Sequence, residues 1–496
     1  MTSQDAYSAL LDHTRQIQAL GQVAGLLNWD QEAVMPANGA EARSEQAGAM
    51  SAVIHARRTD ARIEDWLGAI DAESLDATAR ANLRLIKRDY AHATRTPADL
   101  LSALASKTML AHRVWADARA RNDVSAFLPT LSEILELTRE QARCLAEDGQ
   151  SDYDALVDLY EPGATESSIA EIFGRLRTGL VSLRGQIAEK QGHGPGLSGT
   201  FPKEAQLALA RKLAEAFHYN FDAGRIDLVV HPFCSGTRGD VRITTRVDEA
   251  DPFNCLYSTV HETGHALYEQ NLDPALAWQP AGGHVSMGVH ESQSRLCENQ
   301  IGRSEAFSQY LFPQMQAHFD AFALTSADDL YRTINRVHGG YIRTEADEIH
   351  YNLHIMLRFE LERALISGDL PVSDLEAEWN ARFEADFGRT VDCAANGVLQ
   401  DVHWSAGLFG YFPTYALGNI YAGELFAAIR ADLPDLDVEI RQGDLQAPVD
   451  WLREKIHRAG SVHGPAETIA RACGHAPTEA PLLAYLNEKF GAIYGL

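Results

Sequence analysis

Apolar residues recur at intervals of three and four along most of this 496-residue chain, with charged residues between them. Ala79, Leu83, Ile86 and Tyr90 form one such series, and Ile169, Ile172, Phe173, Leu176 and Leu180 another. That period puts the apolar side chains on one face of an α-helix, so a chain written in it almost throughout must bury itself as packed helices. The first 190 residues read as a succession of helices, broken near Met35-Pro36, Asp60, Thr96-Pro97, Asn122-Asp123 and Glu161-Pro162-Gly163, where turn and capping residues collect.

The helical period fails at 225–247. Residues 225–230 and 240–247 are short runs rich in Val, Ile and Thr, separated by nine residues that include one Pro and two Gly. They read as a β-hairpin with a long loop. The expected fold is therefore mainly α with a small antiparallel sheet. The Gly-rich stretch Gln191 to Gly196 reads as a linker or mobile loop, dividing a helical lobe at 1–190 from a second at 197–496.

With 43 Lys and Arg against 69 Asp and Glu, the net charge is −26. No basic run offsets it, which argues against nucleic-acid or anionic-membrane partners. A content of 45% hydrophobic and 23% charged residues excludes disordered and fibrous classes. No charge-free apolar run of about 18 residues is present, and the charged N-terminal stretch does not read as a signal peptide. Six cysteines without a CxxC pair read as buried thiols in a reducing compartment. The expected location is the cytoplasm.

The most specific motif is His261-Glu262-Thr263-Gly264-His265. Residues four apart share a helix face, so both imidazoles can reach one Zn²⁺ while Glu262 stands beside the reacting water as a base. Asp251-Pro252 supplies an N-cap and first-turn pair for that helix, and Asn271 a stop. A second pair, His350 and His354, has the same spacing but no acid after the first His, so it lacks the base. A catalytic zinc needs a third protein ligand, for which Glu269, Glu291, Glu298 and Glu305 are candidates. Glu269 is set aside, because at 1.5 Å rise per residue it lies roughly 12 Å along the helix from His261. Glu291, in a helix-like segment after the loop at 279–283, leads on spacing, with Glu298 as the runner-up.

The motifs resemble those of the carboxypeptidase Taq family of thermostable metallocarboxypeptidases. They are, in order, His231-Pro232-Phe233, Asp240 to Thr244, His261 to His265, His290-Glu291-Ser292-Gln293, Ile342 to Asp347 and Gly397 to Trp404. Asn28 to Gln31 and Trp451 to His457 are similar to the family as well, so the resemblance spans essentially the whole chain. It implies a single helical peptidase unit with a deep cleft between two lobes, similar to neurolysin and angiotensin-converting enzyme, commonly a homodimer. It implies one zinc or cobalt ion per chain, with Glu291 as the third ligand beside His261 and His265, and substrates that are peptides with a free C-terminus.

An exopeptidase must also hold a free carboxylate, which suits a guanidinium fork. Arg242 on the hairpin and Arg343 on a later helix are the candidates, and Arg343 is favoured. The exposed strand 241–245 is a candidate to add an extended peptide as another strand. His403, Tyr411 and Tyr415 are candidate oxyanion donors, Gln400 and Asp401 substrate-side candidates expected to orient a His, and His231 a candidate substrate contact.

Overall fold

The computed structural model describes residues 1–190, 196–320 and 322–496, so most of the Gln191 to Gly196 stretch lies outside the described residues. The first eight helices are α1 (Ser3–Ala33), α2 (Ala40–Arg58), α3 (Arg62–Ala69), α4 (Ala77–Arg95), α5 (Ala98–Arg121), α6 (Val124–Leu145), α7 (Asp152–Asp158) and α8 (Glu166–Ala188). All five expected breaks fall between helices. Asn122, in left-handed backbone at φ 54°, ends α5, and Asp123 caps α6 by accepting from the Ala126 amide. These are the local signals that stop one helix and start the next.

Two compact units are each built from three stretches of chain. One comprises Met1–Thr94, Gly194–Ile334 and Glu424–Pro477, and the other Arg95–His193, Asn335–Gly423 and Thr478–Leu496. The chain therefore passes between units more than once, where the sequence reading placed consecutive lobes at 1–190 and 197–496.

In the first unit, α9 (Lys203–Ala216) and α10 (Pro252–Gln270) pack on a sheet of β1 (Ile226–Leu228), β2 (Cys234–Thr237) and β3 (Asp240–Thr245). The sheet order is β1-β3-β2, with β1 parallel and β2 antiparallel to β3. The expected hairpin between 225–230 and 240–247 is thus corrected. Its intervening loop supplies a third strand, turned by Gly236 at φ 99° and Arg238 at φ 51°, and this strand makes the antiparallel pair. The same topology overturns the notion of 241–245 as a peptide-binding edge, since β3 is central and both of its edges are paired. Val241 and Ile243 are fully buried against Ala214, Tyr219 and Ala266.

Helix α10 is buried nearly all round. Cys255, Leu256, Val260, Ala266 and Tyr268 are each 0% exposed, and His261 and His265 occupy the one half-open stripe. A helix so enclosed is fixed by tertiary packing, at about 1.5–3 kcal/mol per large apolar side chain buried. As expected, Asp251 caps it through the Phe253 amide and Asn271 ends it.

Helix α11 (Met287–Arg295) packs against α10 and continues as a π-helical turn, Leu296–Ile301. Helices α12 (Glu305–His318) and α13 (Ala327–Ile334) follow in the same unit. In the second unit, α14 (Glu348–Ser367) packs on α8 and is buried along most of its length. No disulfide forms. Cys255 and Cys297 are buried as expected, whereas Cys144, Cys234, Cys393 and Cys473 are only partly so. Among the described residues no helix is long and apolar enough to cross a membrane.

Candidate active site

One turn of α10 separates His261 from His265, and both rings direct Nε2 towards the same carboxylate oxygen. Glu291 Oε2 lies 3.8 Å from His261 Nε2 and 3.5 Å from His265 Nε2. Donors bound to one zinc at about 2.1 Å lie roughly 3.4 Å apart in a tetrahedron and never more than about 4.2 Å, so these separations fit a single ion. Of the four Glu candidates, Glu291 is the one grouped with both histidines. Gly264 makes the approach of α11 possible. A Cβ there would stand 2.5 Å from the Gln293 carbonyl oxygen and 2.6 Å from Ser294 Cα.

Each donor is itself held. Arg295 Nε donates to Glu291 Oε1 at 2.6 Å, while Oε2 faces the histidines and also accepts from the Ser294 hydroxyl at 3.3 Å. His261 Nδ1 donates to Glu298 Oε2 at 2.9 Å, and Arg303 Nη2 donates to Glu298 Oε1 at 3.2 Å. Such carboxylate–imidazole pairs fix the tautomer with Nε2 free for a metal. Glu298, the runner-up ligand on spacing, thus meets the far side of the ring. It lies on the π-helical turn, whose extra residue changes the direction in which its side chain points. His265 Nδ1 lies 2.6 Å from His290 Nδ1, and His290 Nε2 lies 3.2 Å from Glu269 Oε1, which also accepts from His284 Nδ1 at 2.8 Å.

Electrostatics follow from this enclosure. Burial pushes the Glu262 carboxyl up to about 7; His261 pulls it down, while Glu291 and Glu298 raise it. Burial drives His265 down to about 3, keeping it a neutral imidazole. Burial opposes ionisation of Glu291, but Arg295 and the two histidines outweigh it and hold the carboxyl well below its ordinary range. The donor set is therefore two imidazoles and one carboxylate, a combination suited to zinc and its neighbours.

The carboxylate-binding candidates resolve differently. Arg343 is 6% exposed and lies in a 3₁₀ turn, Arg343–Glu345, not on a helix as expected, because Asp347 caps α14 and starts it at Glu348. Its Nε and Nη2 donate to Asp401 Oδ1 at 3.0 and 2.8 Å, its amide donates to Gln400 Oε1 at 2.9 Å, and Arg358 Nε donates to Asp401 Oδ2 at 2.7 Å. Two guanidiniums share one carboxylate, leaving a buried net charge of about +1, the complement of an anion. Arg343 also faces the Tyr415 and Phe412 rings, with centroids 5.2 and 5.6 Å away.

His403 Nε2 stands 3.4 Å from the Tyr415 hydroxyl, and its ring centroid lies 5.7 Å from that of Tyr411. Its buried Nδ1 has no hydrogen-bond partner among the described residues. Burial lowers His403 to about 4, with Arg343 and Arg358 adding to the effect and Asp401 opposing it. The ring is then a neutral donor near pH 7. In the first unit, Arg242 grips Asp240 with two bonds of 2.7 and 2.8 Å and stacks 4.0 Å over Trp29, so its fork is already engaged. His231 is exposed in the β1–β2 loop.

The pair His350 and His354 serves packing. His350 Nδ1 bonds Asp347 at 2.8 Å, the His354 ring packs 4.6 Å from that of Phe387, and neither joins a metal-type cluster among the described residues. Unforeseen partners are Arg295, His290, His284 and His457, which bonds Gln293 at 2.9 Å. The motif carrying His290 and Gln293 was visible, but nothing in it says which atoms they meet.

An HExxH helix completed by a Glu from the next helix, in a mainly α scaffold, defines a metallopeptidase. The profile of the family described as Carboxypeptidase Taq (M32) metallopeptidase matches residues 9–490. The chain is 40% identical to Thermostable carboxypeptidase 1 of Thermus thermophilus, covering 100% of both proteins, and 36% identical to Carboxypeptidase 1 of Bacillus subtilis, covering 97% of each. Among solved structures it is similar to Trypanosoma cruzi metallocarboxypeptidase 1, with a TM-score of 0.95 and 35% identity over 98% of this chain and 99% of that one. The M32 carboxypeptidase of Deinococcus radiodurans gives a TM-score of 0.93 and 37% identity over 99% and 100%. This chain belongs to the carboxypeptidase Taq family of metallopeptidases.

Proposed function

We propose that the protein removes C-terminal residues from peptides, with broad side-chain tolerance, using one divalent ion held by His261, His265 and Glu291. The observation that carries the reading is the meeting of both Nε2 atoms with Glu291 Oε2. Zinc is the first choice for this donor set, and the family resemblance adds cobalt as the second. The ion supplies Lewis acidity that polarises the scissile carbonyl and makes water a stronger acid. Glu262 takes the proton of the attacking water and passes it to the leaving amine nitrogen.

Arg343 receives the free carboxylate of the substrate, positioned by Asp401 and Gln400. His403, Tyr411 and Tyr415 supply neutral hydrogen-bond donors to the developing oxyanion. Arg242 and His231 serve as more distant substrate contacts. Six free cysteines support a cytoplasmic location. A homodimer rests on family resemblance alone.

The test is digestion of one peptide as free acid and as C-terminal amide, read by mass spectrometry with and without chelator. Metal-dependent loss of single residues from the free acid only is expected. Arg343→Ala should lower kcat/KM on the free acid by about 30- to 5,000-fold, the range for truncating one partner of a buried charge pair. Equal cleavage of acid and amide by the wild-type protein would sink the exopeptidase reading in favour of an endopeptidase.

A further inference from the structure

A second His₂Glu constellation lies beside the first. The ligand atoms of Glu269, His284 and His290 all fall within 4.8 Å of one another, as those of the first cluster do. Glu269 Oε1 is the hub, 2.8 Å from His284 Nδ1 and 3.2 Å from His290 Nε2. The Glu269 carboxylate is buried, whereas the His284 side chain is 43% exposed, which gives an ion a route in from solvent. An anionic oxygen flanked by two imidazoles is the donor set that zinc takes.

We propose that Glu269, His284 and His290 form a second, weaker divalent-cation site that competes with the first through a single shared hydrogen. The inference rests on His265 being a ligand of the first ion through Nε2. His265 and His290 face each other Nδ1 to Nδ1 at 2.6 Å, and two neutral rings so placed hold one hydrogen between them. When His265 donates it, His265 Nε2 is bare for the first ion, and His290 carries its own N–H on Nε2, directed at Glu269. When His290 donates it, the assignment reverses. His290 Nε2 is then bare for a second ion, and His265 Nε2 bears a hydrogen and is closed to the first. Binding at either site therefore selects the tautomer that disfavours the other, and by linkage the penalty is equal in both directions. Repulsion between two dications adds to it.

The experiment is zinc titration of metal-free protein in competition with a chromophoric chelator, on wild type, His284→Ala and Glu291→Ala. Circular dichroism confirms that each is folded. Wild type should bind one zinc tightly and a second more weakly, and occupying the second should weaken the first at least tenfold. His284→Ala, altered only at the exposed edge, should keep the tight equivalent and lose the weak one. Glu291→Ala should lose the tight equivalent and bind zinc at the remaining site at least tenfold more tightly than loaded wild type does. A single equivalent in wild type up to millimolar zinc overturns the proposal. So does a second equivalent that survives His284→Ala, or two equivalents that bind without affecting each other. Retention of the tight equivalent in Glu291→Ala would instead refute the first site, so the two failures are distinguishable.

Discussion

Gly264→Ala tests whether the close approach of α10 and α11 builds the metal centre. The added methyl would lie 2.5 Å from the Gln293 carbonyl oxygen and 2.6 Å from Ser294 Cα, close to an ångström inside ordinary contact. Both obstacles are backbone, so α11 must yield as a body, and Glu291 lies on it only two residues before Gln293. Opening the present 3.5 and 3.8 Å separations by that amount exceeds the roughly 4.2 Å that two donors can span across one zinc. One ligand is then lost. Dividing about 10–16 kcal/mol of structural zinc affinity among four ligands gives about 3–4 kcal/mol each, hence roughly a 100- to 1,000-fold weaker site. Stability should change far less, because an overpacking cost of about 1–3 kcal/mol is partly offset by about 1 kcal/mol gained in helix propensity. Chelator competition gives the affinity and thermal melting of the metal-free protein gives the stability. Unchanged zinc affinity with unchanged or raised stability would show that this contact does not set the site.

Further outcomes follow from individual side chains. Glu291→Ala should weaken zinc retention by more than 100-fold, and Glu298→Ala by about 10- to 100-fold, since the latter loses only the partner of His261 Nδ1; the reverse order in chelator competition would give Glu298 the ligand role. Glu262→Gln should keep its metal, read by elemental analysis, yet turn over about 100- to 10,000-fold more slowly; loss of the metal would count against its role as a base. Glu362 accepts from Tyr153, Trp404 and the Gly410 amide in a fully buried setting, and burial lifts it from 4.5 to about 7 despite those bonds and Arg358. The folded state then holds a proton that the unfolded state releases between these values, so stability falls as pH rises from about 4.5 to 7, by roughly 3 kcal/mol in all. In urea unfolding, Glu362→Gln should therefore gain on wild type between pH 5 and pH 8, and a constant difference would refute the assignment.

How much of this was legible in the sequence depended on whether the deciding interaction was local. Helix ends at Asn122-Asp123 or Asp251-Pro252 are set by the backbone preferences of the residues themselves, and they fall where expected. The break between α3 and α4 went unread because its 3₁₀ turn, capped by Asp71, contains neither Gly nor Pro. Strand β2 was missed because Cys-Ser-Gly-Thr carries no apolar alternation, and it forms only because β3 offers it a free edge. The helical spacing of His261 and His265 dictates that both rings share a face. It cannot dictate what stands behind them.

The sequence by itself determined a mainly helical chain with one short sheet and an HExxH face with two histidines, and it gave a shortlist of carboxylates from which the family resemblance singles out Glu291. Tertiary structure decided which atoms meet: Glu291 Oε2 stands before both Nε2 atoms, while Glu298 bonds the far side of the His261 ring. It alone joined Arg343 to Asp401 across 58 residues and set His265 against His290. Periodicity and capping act within one or two turns of chain and are written in neighbouring residues. The protonation and aim of a side chain are fixed by whichever partner packing brings to its other end, and that partner is seldom a neighbour in sequence.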